Sequence, residues 1–273
     1  MQLPTLTEEQ VGKFRWICER FGHDIRLPPA DHWKTMSDTD IWIRVVSQVV
    51  VVGKSDPAKR LSEAAIREKL NYERLCAMPE AQVAMVLGEV LREIGARYVS
   101  DVNPELSPKV LALIKNFAFL KAYKGGPSGF IRYVVALKTS EERWQYVAKS
   151  LAYVKNKGAR DFLTSGFGLA TDRIALDSRV MGVVNRIVPE LPTKVPATSY
   201  AAVETLLAQD VCKPLGITPA FLDQLLFKNY GSILEGLGSS MGDADLTRVS
   251  TESLLLQYRQ IQHELKRREV LYE

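Results

Sequence analysis

The sequence predicts an all-helical protein, on three observations. Apolar residues recur at the 3.6-residue helical period along much of the chain, and Ser-Pro, Thr-Pro and Asp-Pro pairs that start helices punctuate it. Neither an alternating hairpin pair nor a strand-helix repeat is present, which argues against a parallel sheet or a β-sandwich. At 273 residues, with 46% hydrophobic side chains, the chain can bury a sizeable core, as one large domain or as two lobes sharing an interface.

The elements follow in order. Val11, Phe14, Trp16 and Cys18 suggest an N-terminal helix. Residues 41–52 are ambiguous, because Val45, Val46 and the valines at 49–52 are β-branched and suit a buried strand as well as a helix. The start signals Ser37 and Asp40 favour helix there, with Trp42 in the core. Asp56-Pro57, Ser107-Pro108 and Thr218-Pro219 each offer a capping oxygen and then a residue whose fixed φ suits a first helical turn. After Pro79, the residues Val83, Val86, Leu87, Val90, Leu91 and Ile94 keep helical period and Gly95 closes the run. Residues 124–129 (Lys-Gly-Gly-Pro-Ser-Gly) and the Pro-containing stretch 189–196 are predicted loops. Ser140 through Glu142, Trp144, Val147 and Leu151 reads as a capped helix, Tyr153 to Asn156 as a turn, and Ala159, Phe162 and Leu163 as the next helix. Asp177 precedes Val180, Val183, Val184 and Ile187 as an N-cap. Leu254, Leu255, Tyr258, Ile261 and Leu265 give a last amphipathic helix, whose stripe suits intramolecular packing or dimerisation.

Composition narrows the class of function. Thirty-six Lys and Arg against 32 Asp and Glu leave +4, which permits a nucleic-acid partner without requiring one. Cys18, Cys76 and Cys212 are odd in number and far apart, so they form neither a disulfide framework nor a Cys-x-x-Cys metal site, and a reducing, cytoplasmic setting is expected. No stretch approaches the roughly 20 apolar residues of a membrane span, and the N-terminal residues lack a signal-peptide pattern. His23, His32 and His263 lack helix-face metal spacing, so no metal is expected.

The informative stretch is Leu-Ala-Tyr-Val-Lys-Asn-Lys-Gly-Ala-Arg-Asp-Phe-Leu at 151–163, followed by Arg-Ile-Ala-Leu-Asp-Ser-Arg-Val at 173–180. It places Lys157 at the start of one helix and Asp177, twenty positions on, at the start of another. A helix start disfavours positive charge, so Lys157 is mildly misplaced as an ordinary surface lysine. The arrangement resembles the helix-hairpin-helix DNA glycosylase superfamily, and its Lys-Gly-Ala-Arg-Asp-Phe-Leu resembles the post-hairpin helix of the 8-oxoguanine DNA glycosylase/AP lyase branches. The resemblance extends more weakly over residues 38–230.

That resemblance implies a two-lobed helical fold, with residues 40–170 as a barrel-like lobe ending in the hairpin, 1–39 and 171–273 as the second lobe, and the active cleft between them. It implies a base-excision glycosylase with associated AP lyase activity, in which Lys157 is the nucleophile and Asp177 stabilises positive charge on the sugar. The substrate would be double-stranded DNA carrying a damaged or modified base, 8-oxoguanine as the first choice, flipped into the cleft of a monomer that needs no cofactor. Asp223 and Phe227, four apart on a helix, would line the base pocket, although Phe227 is as well explained as core. Gln48 would join them, and Lys155 and Asn156 would meet DNA unless they form only a solvated turn. Hairpin glycines that usually let backbone N–H groups approach a phosphate are replaced here by Tyr153 and Lys155. That departure leaves open a non-catalytic DNA-binding protein, and a monofunctional glycosylase in which Asp177 activates water is the other rival. The four-cysteine iron-sulfur motif of some relatives is absent.

Overall fold

The computed structural model describes residues 3–53 and 55–240, and it is helical throughout, with no strand among the described residues. The predicted C-terminal helix with Leu254 to Leu265, and His263, lie outside the described residues. The order is α1 (Glu8–Phe21), α2 (Asp38–Val50), α3 (Ala64–Lys69), α4 (Tyr72–Cys76), α5 (Glu80–Glu93), α6 (Pro108–Ala122), α7 (Gly126–Ala136), α8 (Ser140–Ser150), α9 (Asn156–Phe167), α10 (Ser178–Ile187), α11 (Ala197–Leu206), α12 (Lys213–Leu215), α13 (Pro219–Lys228) and α14 (Tyr230–Ser240). Residues up to Lys228 form one compact unit, and α14 belongs to a second that begins at Asn229. No helix among the described residues is long and apolar enough to cross a membrane.

The ambiguous valine-rich segment is α2, the central helix of the first unit. Ser37 and Asp40 form a reciprocal capping box at its start, and Arg44 alone of its residues is exposed. β-Branching costs a helix at most about 0.7 kcal/mol per residue, whereas burying a Val or Ile side chain returns about 1.5–3 kcal/mol, so the packed environment decides for helix. Trp42 is fully buried and its ring lies 5.5 Å from Phe117 and 6.3 Å from Tyr72. One hydrophobic core runs from Ile41 to Ala170 and includes the inner faces of α2 through α9. Lys109 on α6 is buried beneath this layer and donates to the Val50 and Val52 carbonyls at the end of α2, at 2.9 and 2.7 Å. Burial lowers its amine to about 8.

Three local expectations change. In α1 the buried positions are Phe14 and Ile17, three apart, rather than a face running through Trp16 and Cys18, which are half-buried. Much of the segment 124–129 is helix: α7 begins at Gly126, because the Asp38 carboxylate receives the Ser128 N–H at 2.9 Å and its hydroxyl, supplying a cap from α2 that local sequence does not show. The hairpin turn spans 151–155, and Asn156 is already the first residue of α9.

Candidate active site

The hairpin between α8 and α9 is built without glycine. Tyr153 takes φ +68°, the left-handed conformation that normally favours glycine, and is 38% exposed, while Val154 beside it is buried in the core. Asn116, buried on α6, secures the turn by bonding both backbone groups of Ala152: its Nδ2 donates to the carbonyl at 3.0 Å and its Oδ1 accepts the N–H at 2.6 Å. Lys155 then sits in extended conformation as the N-cap residue of α9, and both it and Asn156 point their side chains into solvent. They stand at the hairpin's outer edge, where the N–H groups of the first turn of α9 are uncapped by any side chain.

Lys157 lies in that first turn and Asp177 is the N-cap of α10. The Asp177 carboxylate is divided between two tasks: Oδ1 accepts the Arg179 and Val180 N–H groups, both at 2.8 Å, and Oδ2 receives Lys157 Nζ at 3.3 Å. The Lys157 side chain is 54% exposed and that of Asp177 only 9%. The pair is therefore an accessible amine on a nearly buried, fixed carboxylate, held together from positions twenty residues apart.

Gln48, Asp161 and Asp223 gather around it. Gln48, buried on α2, donates its Nε2 to Asp161 Oδ2 at 2.8 Å, and its Oε1 lies 3.5 Å from where a side chain on Gly158 would begin. Gly158 follows Lys157, so the Gln48 amide reaches the same turn of α9 as the Lys157 amine. Asp223, on α13, is 4% exposed. Burial, followed by the nearby Asp161 and Asp177 carboxylates, raises its carboxyl well above the ordinary carboxylate range, against a backbone hydrogen bond at Ala175 and the attraction of Lys157. A buried carboxylic acid kept neutral both donates and accepts hydrogen bonds. Phe227, one turn beyond Asp223, is half-buried and outside the core, and the Arg179 guanidinium lies over its ring at 4.8 Å.

Lys157, Asp177, Asp223 and Gln48 thus converge, Phe227 joins through Arg179 beside Asp177, and Lys155 and Asn156 stand apart on the outer hairpin. Asp161 and Asn116 were not singled out from sequence. Asp161 carried a signal, lying one helical turn after Lys157 on α9; Asn116 carried none, since its partner is 36 residues away. Among the described residues no group of three or more His, Cys, Asp or Glu could hold a metal ion. The three cysteines are free thiols.

No protein-family model and no curated protein matches the sequence. Solved structures do match. The 8-oxoguanine DNA glycosylase of Thermotoga maritima aligns over 81% of this chain and 95% of its own, at 18% identity and a TM-score of 0.56. The 8-oxoguanine DNA glycosylase of Methanocaldococcus jannaschii aligns over 80% and 91%, at 12% identity and 0.56. The Methanocaldococcus jannaschii 8-oxoguanine glycosylase/lyase in complex with a 15mer DNA containing 8-oxoguanine aligns over 82% and 89%, at 10% identity and 0.52. The chain has the all-helical fold of these glycosylases, as its resemblance to the helix-hairpin-helix superfamily implies.

Proposed function

We propose that a chain with this fold and this lysine-aspartate pair is a DNA glycosylase with associated AP lyase activity, which removes a damaged or modified base, 8-oxoguanine first. The observation that carries the reading is the 3.3 Å contact between Lys157 Nζ and Asp177 Oδ2 at two adjoining helix starts. The DNA-bound neighbour lends support to DNA carrying an oxidised purine as substrate.

In this mechanism the flipped nucleotide presents its anomeric carbon to Lys157. Once Lys157 has passed one ammonium proton to water, its amine attacks that carbon while the N-glycosidic bond breaks, the bonding pair leaves with the base, and the base takes up a proton from water. Positive charge developing on the sugar is met by Asp177 Oδ2, whose position is set because Oδ1 is held by two backbone N–H groups. Ring opening and loss of the amine proton give an imine between Lys157 and the sugar. Removal of a C2′ proton then expels the 3′ phosphate by β-elimination, and water hydrolyses the imine to free the lysine. Asp223, kept neutral, and Phe227 would hold the base, with Gln48 beside them; Lys155 and Asn156 would meet the phosphate backbone at the hairpin. The cleft between a lobe of residues 40–170 and the chain on either side of it, action as a monomer without a cofactor, and a cytoplasmic setting belong to the same proposal.

The 3.3 Å contact also fits a second reading, in which Lys157 only holds Asp177 in place while that carboxylate activates water, giving excision without a covalent adduct.

The test is release of free base from duplexes with 8-oxoguanine, beside duplexes with other oxidised, deaminated or mismatched bases. Release from the 8-oxoguanine duplex supports the reading as stated. Release only from another duplex keeps the glycosylase and replaces the base, and release from none by folded, DNA-bound protein overturns it.

A further inference from the structure

Asp177 reaches Lys157 at the end of a largely buried, non-helical stretch, residues 173–176, whose peptide groups have no helix to satisfy them. Ala175 is served by Asp223 and by the Asp177 N–H, and two side chains on one face of α11 serve its neighbours Ile174 and Leu176. Glu204 Oε1 accepts the Ile174 N–H at 3.0 Å; the Tyr200 hydroxyl accepts the Leu176 N–H at 2.8 Å and donates its own proton to the Ile174 carbonyl at 3.2 Å. The residue bonded to Tyr200 is thus the one directly before Asp177.

The same two side chains hold the helix that carries Lys157. Arg160 lies one turn after Lys157 on α9 and points inward, only 8% exposed. Its guanidinium is sandwiched between Trp144 of α8 at 4.3 Å and Tyr200 at 4.6 Å, and its NH2 group is 3.9 Å from Glu204 Oε2. Arg173 closes on the same Glu204 oxygen at 3.4 Å. Glu204 is 3% exposed, so one buried carboxylate faces two guanidiniums, of which Arg173 also meets the Asp172 carboxylate at 3.5 Å.

We infer that Arg160, Tyr200 and Glu204 are positioning residues that set the separation of Lys157 from Asp177, since α11 grips through one face both the helix bearing the amine and the non-helical segment that leads to the carboxylate. The inference rests on the reading of Lys157 and Asp177 as the reacting pair. None of the three touches the reacting atoms. Their effect is on the relative placement of α9 and residues 174–177, and a misplacement of about 1 Å in such a pair lowers a rate about 100-fold.

The least disruptive variant is Tyr200→Phe, which keeps the ring under Arg160 and deletes only the oxygen bonded to Ile174 and Leu176. Tyr146→Phe is the control: it deletes a half-buried hydroxyl bonded to Tyr123 at 3.2 Å, in α8, without a bond to residues 174–177. Single-turnover excision at saturating protein should slow at least tenfold in Tyr200→Phe with duplex affinity unchanged within about twofold, while Tyr146→Phe keeps the wild-type rate. Glu204→Gln, which retains an acceptor for Ile174 but not the charge facing Arg160, should fall between. A wild-type rate in Tyr200→Phe, an equal loss in Tyr146→Phe, or a loss lying wholly in DNA affinity overturns the inference. If wild type excises no base, the proposed function fails, and crystal structures of wild type and Tyr200→Phe decide the positioning claim: loss of the Lys157–Asp177 contact in the variant upholds it, and an unchanged contact overturns it.

Discussion

Asn116 holds Ala152 by both of its backbone groups, so the hairpin of the candidate site is secured from α6 as well as by its own turn from Val154 to Leu151. This explains how a hairpin with Tyr153 at φ +68° keeps its shape without glycine. Replacing Asn116 by Ala leaves both groups of Ala152 without their partner in a half-buried setting. Each orphaned group costs about 1–3 kcal/mol, so Asn116→Ala should lower stability by at least that much in chemical denaturation. Amide hydrogen exchange should also quicken at residues 152–156, and unchanged protection there would show that the hairpin is held otherwise.

Asp177 both caps α10 and faces Lys157, and the two roles separate on substitution. Asn caps a helix about as well as Asp, so Asp177→Asn should melt close to wild type. Excision should still fall about 100- to 1000-fold, the range seen when a group stabilising transition-state charge is removed. Base release at saturating protein, with a melting curve on the same sample, checks both halves. A fall in activity that tracks a fall in melting temperature would assign Asp177 to structure alone.

Asp223 gives a pH signature. Its carboxyl binds a proton more tightly in the folded than in the unfolded protein, because burial and the Asp161 and Asp177 carboxylates raise it. The native state therefore holds the extra proton between the ordinary carboxylate value and the raised one, and folding stability falls as pH rises through that window. Asp223→Asn removes the titration, so its melting temperature should gain on wild type progressively from about pH 4 upward. Parallel curves for the two proteins across that range would contradict the neutral acid.

Lys109 titrates with the opposite sign. Its amine, lowered to about 8 by burial, releases its proton more readily folded than unfolded. Between about pH 8 and the ordinary lysine value of about 10.4 the unfolded chain holds more protons, so this residue makes stability rise with pH. Lys109→Met should lose that rise, read as the difference between the two proteins' denaturation midpoints at pH 7, 9 and 10.

What the sequence revealed and what it hid divide along a physical line. Lys157 at the start of α9 and Asp177 as the cap of α10 were legible because caps, turns and helical period are local patterns, and helix was the better reading of α2 because its Ser37 and Asp40 start signals are local too. Asp38 capping the start of α7, Asn116 gripping Ala152 and Arg160 stacking on Tyr200 were illegible. Each joins residues more than 35 positions apart, and no local propensity records which distant group a polar side chain will meet. Tyr153 is a further kind of surprise, since a residue disfavoured in the left-handed region is tolerated where Asn116 holds Ala152 before it and the Val154 N–H after it bonds the Leu151 carbonyl.

A Lys157 nucleophile forms a covalent imine with DNA, which borohydride reduces to a stable cross-link. Wild type and Lys157→Gln would be incubated with 8-oxoguanine and abasic-site duplexes plus borohydride and resolved on a denaturing gel. Wild type is expected to give a cross-linked band with both duplexes, and Lys157→Gln none while still binding DNA. A cross-link that survives in Lys157→Gln, or none from folded, DNA-bound wild type on either duplex, would contradict the claim.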